Sequence, residues 1–250
     1  MKLLEFNNVN LIYQTDESET HALKDVSFGV EKGEFVAIVG PSGCGKTTIL
    51  SLTAGLIKPT SGEILIGGSK ITKPSGKVGY MLQHDQLFEW RTIFANVTLG
   101  LEIRKIKSEE NLNYAKELLT KYGLIEFSKN FPSQLSGGMR QRVALIRTLV
   151  YRPDVLLLDE PFSALDFQTR LNVHEDVYPI IKNEGKTALL VTHDISEAIA
   201  LSDKIIVLSS RPGRIKKIVN VNLSGSSPKE KRESHDYPLL FEEIWREVTS

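Results

Sequence analysis

Gly40-Pro41-Ser42-Gly43-Cys44-Gly45-Lys46-Thr47 is the stretch on which the reading of this 250-residue chain turns. It satisfies G-x-x-x-x-G-K-[ST], a phosphate-cradling loop. The glycines let the backbone turn tightly and aim successive N–H groups inward at an anion, and a following helix adds the positive end of its dipole. Just upstream, Phe35-Val36-Ala37-Ile38-Val39 is a short apolar run that suits a buried strand. Just downstream, Lys46-Thr47-Thr48-Ile49-Leu50-Ser51-Leu52 has helical spacing, so the motif sits between a strand and a helix. In that setting Lys46 would bridge β- and γ-phosphates and the Thr47 hydroxyl would ligate Mg²⁺.

Further out, Val155 to Leu158, Ala188 to His193 and Lys204 to Leu208 read as buried strands separated by helical segments. That alternation predicts a mostly parallel α/β core. Leu4 to Val9, Ser27 to Val30, Gly62 to Ile66 and Val78 to Leu82 read as shorter strands of an antiparallel layer near the N-terminus. Between about 88 and 149 the pattern turns helical, at Thr92 to Val97 and Leu112 to Tyr122. Past a polar breaker at Ser224 to Pro228, Leu240, Ile244 and Val248 share one helical face, which reads as a docking helix. Lys70 to Lys77 and Lys229 to Arg232 read as solvated charge clusters.

Lys+Arg and Asp+Glu both number 31, so no net field attracts nucleic acid or an anionic membrane. No apolar run approaches the roughly 20 residues that span a bilayer, and Leu3-Leu4-Glu5-Phe6 is too short for a signal peptide. The single cysteine, Cys44, excludes an internal disulfide framework; within the loop it reads as a small residue rather than a redox group. The chain reads as cytosolic, with any membrane association made through a partner.

Asp159 follows four apolar residues at a strand's C-terminal end, where α/β ligand sites collect, and would hold Mg²⁺ through water. The adjacent Glu160 is the natural general base, able to polarise a water in line with a γ-phosphate. Leu135-Ser136-Gly137-Gly138-Met139-Arg140-Gln141-Arg142 is a Gly-rich turn opening a basic helix. Ser136 and the Gly137 and Gly138 N–H groups would form a second anion site, although a plain helix N-cap explains Ser-Gly-Gly in isolation. Two half-sites for one nucleotide triphosphate, far apart in one chain, suggest an active site completed by a second copy. His21, His84 and His174 lack partners at ligand spacing and read as surface or loop residues, so no metal beyond Mg²⁺ is expected.

Taken together, these motifs resemble the ATP-binding subunit of an ATP-binding-cassette (ABC) transporter, over residues 1 to about 220. The resemblance implies a P-loop NTPase fold of class α/β: a mostly parallel sheet, an N-terminal antiparallel β layer and an inserted helical subdomain. The core would comprise 1–87 and 150–222, the helical signature subdomain 88–149, and the C-terminal docking tail 223–250. It implies ATP and Mg²⁺, with the loop Gly40 to Thr47 and Thr48 on the phosphates and Tyr13 stacking on adenine. Gln83 matches the glutamine that reaches Mg²⁺ and the attacking water, and His193 the histidine that contacts the γ-phosphate and steadies Glu160. Asp166, in Ser163-Ala164-Leu165-Asp166, matches the working acid of the loop that crosses to the other subunit. The implied partners are a second copy bound head to tail, separate transmembrane permease subunits and, indirectly, an extracytoplasmic solute-binding protein, with no nucleic acid. The implied location is peripheral, on the cytoplasmic face of the membrane.

Tyr80 to Thr92, Thr192 to Ala198 and Ser210 to Ile215 resemble the nitrate/sulfonate/taurine importer branch. Glu89 stands where that branch usually has Pro before Trp90, which bears on substrate assignment rather than on ATP chemistry. Thiamine-precursor importers share much of this pattern. A single-cassette exporter or lipid-extracting ATPase is the alternative in membrane transport. A soluble ABC ATPase acting on ribosomes or DNA is the competing class, but such proteins typically fuse two cassettes or insert a long coiled coil.

Overall fold

A computed structural model describes residues 2–14 and 18–249. β1 (Lys2–Gln14) and β2 (Glu19–Glu31) pair antiparallel, with Leu4 opposite Val30 and the stacked rings of Phe6 and Phe28 opposite each other. The chain then runs through β3 (Phe35–Val39) and α1 (Lys46–Thr53) before β4 (Ser61–Ile66) and β5 (Ser69–Lys70) rejoin the first sheet, in order β2-β1-β4-β5. After β6 (Val78–Met81) come four helices: α2 (Ile93–Val97), α3 (Leu99–Ile103), α4 (Glu109–Lys121) and α5 (Gly137–Leu149). Then β7 (Val155–Asp159), α6 (Phe167–Asn183), β8 (Thr187–Val191), α7 (Ile195–Leu201) and β9 (Lys204–Leu208) alternate. β10 (Ile215–Asn220), α8 (Pro228–Glu233) and α9 (Tyr237–Thr249) follow.

The second sheet has the order β10-β9-β3-β8-β7-β6 and is parallel except for β10. Every residue of β3, β7 and β8 is buried, which is why these strands read as unbroken apolar runs. Alternate side chains go to opposite faces. Val36, Ile38, Val155 and Leu157 pack toward Ile49, Leu50 and the antiparallel sheet, while Phe35, Ala37, Leu156 and Leu158 pack toward α5, α6 and α7.

The segment Val78 to Leu82 does not belong to the antiparallel layer. Its strand residues, Val78–Met81, form the edge of the parallel sheet, paired with β7, with α2 to α5 making the crossover between them. The C-terminal charge cluster is not wholly solvated either. Lys231 is buried and its ammonium donates to the Ser202 carbonyl at 3.0 Å, closing the C-terminal end of α7. Arg232 donates to Nδ1 of His174 at 2.6 Å, and His174 is a core residue of α6 rather than a surface or loop one. Ile244 of α9 is fully buried, with Leu240 and Val248 packed at the same core. Among the described residues no helix is long and apolar enough to cross a membrane.

Candidate active site

β3 ends at Val39, and the loop that starts at Gly40 wraps into α1. Gly43 and Gly45 take φ of +73° and +104°, a conformation that L side chains rarely adopt. A Cβ on Gly45 would also lie 2.7 Å from Leu23 Cδ2 and 3.2 Å from the Ala22 carbonyl, so β2 forbids anything larger there. The Lys46 ammonium donates to the Gly40 and Pro41 carbonyls at 2.8 and 3.0 Å. Cys44 points into the core, where burial pushes its thiol up against the opposing charge of Lys46, the reverse of a reactive thiol's environment.

Above the loop lies a cleft of about 410 Å³, lined by Tyr13, Thr20, Ala22, Ser42, Gly43, Gly45, Lys46, Thr47, Thr48, Glu160 and Arg211. Gly40, Pro41 and Cys44 do not line it. Tyr13 is half exposed at the rim, its hydroxyl 3.5 Å from Thr48 Oγ1. On the opposite wall the Thr47 hydroxyl donates to Asp159 Oδ1 at 3.3 Å, and the Tyr80 hydroxyl donates to Oδ2 at 3.0 Å. Burial pushes the Asp159 carboxyl up, and these two hydrogen bonds oppose the shift. A hydroxyl beside a carboxylate is a hard oxygen set that suits Mg²⁺ with water and phosphate as its other ligands. Among the described residues no group of three or more His, Cys, Asp and Glu could hold a metal on its own.

Glu160 follows β7 with φ of +44°, unusual for a residue bearing a Cβ and worth about 1–3 kcal/mol of strain, as at many functional sites. Its N–H donates to the Val191 carbonyl, and its own carbonyl accepts from the Ser163 hydroxyl at 2.9 Å. Its Oε2 lies 3.0 Å from His193 Nδ1. Gln83 Nε2 donates to the Ser163 hydroxyl at 3.3 Å, so Gln83, Ser163, Glu160 and His193 form one connected set at the strands' C-terminal ends. The Thr192 hydroxyl, one residue from His193, donates to the buried Glu197 at 2.7 Å.

Ser136 caps α5, its hydroxyl accepting from the Met139 N–H, and Asp166 caps α6 in the same way through Thr169. Hydrogen bonds from Thr169 hold the Asp166 carboxyl below its ordinary range. Ser136, Gly137, Gly138 and Asp166 line a second cleft of about 500 Å³. Among the described residues none lines both clefts. Arg140, at the base of this segment, pairs with Asp85 at 2.8 Å and with Glu89 at 2.9 Å. The residue at the unusual position thus ties the stretch after Gln83 to the Ser136 helix.

Tyr80, Ser163 and Arg211 were not singled out as site residues from the sequence. Nothing in one sequence marks Tyr80 as the partner of a residue on a neighbouring strand. Arg211 lies in the Ser210 to Ile215 turn, whose place against the phosphate loop is set by tertiary pairing.

Residues 23–163 match the profile of the ABC transporter family. The chain belongs to that family. An uncharacterized ABC transporter ATP-binding protein of Bacillus subtilis is 47% identical over 252 residues, covering 100% of this chain and 97% of its own length. The taurine import ATP-binding protein of Pelagibacter ubique is 46% identical, covering 86% of this chain and 81% of its own. The nitrate import ATP-binding protein of Synechocystis is 42% identical, covering 93% and 87%. Among solved structures, a dimeric ATP-binding cassette in a post-hydrolysis state with ADP and Pi superposes with a TM-score of 0.72 at 34% identity, covering 89% of this chain and all of that one. The fold is therefore that of an ABC ATPase, and the chain is an ATP hydrolase of the transport family. Its resemblance to the nitrate/sulfonate/taurine branch holds among these relatives.

Proposed function

We propose that the chain is the ATP-hydrolysing motor of an importer for a small solute of the taurine, sulfonate or nitrate kind, acting through separate permease subunits at the cytoplasmic face of the membrane. The relatives named for taurine and nitrate import support this reading. The observation that carries the mechanism is that, among the described residues, the phosphate-loop cleft and the Ser136 cleft share none. Each nucleotide is held between the phosphate loop of one copy and the Ser136 segment of another, so two copies bind two ATP head to tail. Tyr13 stacks on the adenine, and the Lys46 ammonium exchanges its loop carbonyls for β- and γ-phosphate oxygens. Thr47 and Asp159 would hold Mg²⁺, which would supply positive charge against the triphosphate. Glu160 takes the proton of the attacking water, His193 fixes the Glu160 carboxylate, and Gln83 orients the water from the far side. Ser136 and Asp166 complete the neighbouring copy's site. Loss of the γ-phosphate removes the shared ligand and opens the pair, and that opening drives a permease to which an extracytoplasmic binding protein delivers solute. The core, 1–87 with 150–222, carries nucleotide and base, and 88–149 carries Ser136 and the segment facing the permease.

Glu160→Gln tests the assignment. The variant keeps ATP affinity and loses hydrolysis by about 10²–10⁴-fold, and from gently solubilised membranes it brings down a permease identifiable by mass spectrometry. Rapid turnover by the variant overturns the base; recovery of ribosomes or an exporter-type permease overturns import.

A further inference from the structure

We propose that Arg211 is a nucleotide-binding residue that engages the phosphates shared by ATP and ADP, on the side of the loop away from Glu160 and His193. The inference rests on the cleft above the phosphate loop being the nucleotide site.

Sheet order supplies the placement. β9 flanks β3 on one side, and β8 and β7 lie on the other. Arg211 follows β9, whereas His193 follows β8 and Glu160 follows β7. The γ-phosphate must lie where Glu160 and His193 act. A cation on the opposite flank of the same cleft therefore meets the phosphates nearer the ribose.

The side chain is poised for that contact. Among the described residues, Arg211 and Lys46 are the two cations that line the cleft. Arg211 Nε donates to the Gly43 carbonyl at 3.2 Å, which fixes the plane of the guanidinium beside the loop. Its terminal N–H groups have no hydrogen-bond or ion-pair partner among the described residues, and a guanidinium presents them as a fork that matches phosphate oxygens.

A purely structural role, seating the turn against the loop, is already filled by backbone. Gly213 N–H donates to the Ala22 carbonyl at 2.9 Å, and Lys24 N–H donates to the Gly213 carbonyl at 3.0 Å. A Cβ on Gly213 would come within 2.1 Å of the Cys44 carbonyl, so the turn is pressed directly onto the phosphate loop without help from the Arg211 side chain. Arg211 itself is exposed.

The test is ADP binding by calorimetry and steady-state ATP hydrolysis for Arg211→Ala and Arg211→Lys. Losing charge-assisted hydrogen bonds weakens ADP binding by roughly tenfold to a hundredfold. KM for ATP rises with it while kcat stays within about twofold, the pattern of uniform binding. Arg211→Lys recovers part of the affinity, because an ammonium keeps the charge and loses the fork. Unchanged melting temperatures separate these effects from unfolding. Unaltered ADP affinity overturns the proposal, whether KM for ATP is unmoved or rises alone, since the latter puts the contact at the γ-phosphate. A fall in kcat without loss of ADP affinity overturns it too. If the parent chain binds neither nucleotide, the reading of the cleft itself fails.

Discussion

Removing the Tyr80 hydroxyl tests how the edge of the sheet holds the metal-side carboxylate. Asp159 is 9% exposed, and its two oxygens accept from Tyr80 and Thr47. Tyr80→Phe keeps the ring and deletes the shorter bond. A hydrogen bond to a charged group contributes about 1.5–3 kcal/mol, and Tyr80 is only half-buried, so water recovers part of it. We expect a loss of about 1.5–2 kcal/mol, or roughly 3–8 °C in Tm for a domain of this size. The same change moves a titration. Burial already raises the Asp159 carboxyl, so acid protonates it earlier than an ordinary aspartate, and the Tyr80 bond restrains that shift. Without it the carboxyl rises further, because a hydrogen bond that favours its charged form is gone. The acid limb of ATP hydrolysis should move to higher pH, and half-saturating Mg²⁺ should rise more near pH 6.5 than near pH 8. Thermal unfolding and Mg²⁺ titrations of ATPase rate at the two pH values read both effects. A Tm within about one degree of the parent, with an unmoved acid limb, refutes the reasoning.

Phe162 is 1% exposed, two residues from Glu160, with its ring edge-on to His174 at 5.0 Å. Phe162→Ala opens a cavity beneath the catalytic segment and should cost about 3–5 kcal/mol in chemical denaturation. Glu197 and His174 offer a pH test, with Thr192, Asp194, Glu160, Arg170 and Arg232 as the surrounding polar and charged groups. Burial pushes Glu197 from 4.5 up to about 8 and His174 from 6.5 down to about 3, so both are mainly neutral at pH 7. For Glu197 the fold binds the extra proton, so its stability contribution is present below 4.5 and lost as pH rises through 8. For His174 the contribution is present above 6.5 and lost as pH falls. The two oppose each other between 4.5 and 6.5, and above that the Glu197 loss stands alone. Glu197→Gln should therefore flatten the decline in Tm between about pH 6.5 and 8.5; an unaltered slope removes Glu197 from the account.

What the sequence made legible was chemistry whose partners are neighbours along the chain. The Gly40 to Thr47 loop, the Asp159-Glu160 pair at the end of an apolar strand and the Ser136 cap each carry their signal within a few residues. What it hid depends on pairing across the fold. The four residues Val78–Met81 announce a strand but not which sheet accepts it, and the helices before β7 make a parallel edge the reachable answer. Lys231 and Arg232 look solvated in sequence because nothing local shows α8 folding back onto α6 and α7. There the carbonyl end of α7 and the imidazole of His174 give the two cations partners worth burying. Arg211 belongs to the same class, since only the Gly213 pairing with Ala22 and Lys24 brings its turn to the phosphate loop.

The central claim is that one nucleotide bridges two copies through Lys46 of one and Ser136 of the other. Its most direct measurement is the solution mass of Glu160→Gln, alone and combined with Ser136→Arg, with Mg²⁺ and either ATP or ADP. The account predicts dimers of Glu160→Gln with ATP and monomers with ADP. It also predicts monomers of the double variant that still bind ATP at the phosphate loop. Glu160→Gln that stays monomeric with ATP bound, or a double variant that dimerises as readily as its parent, would contradict it.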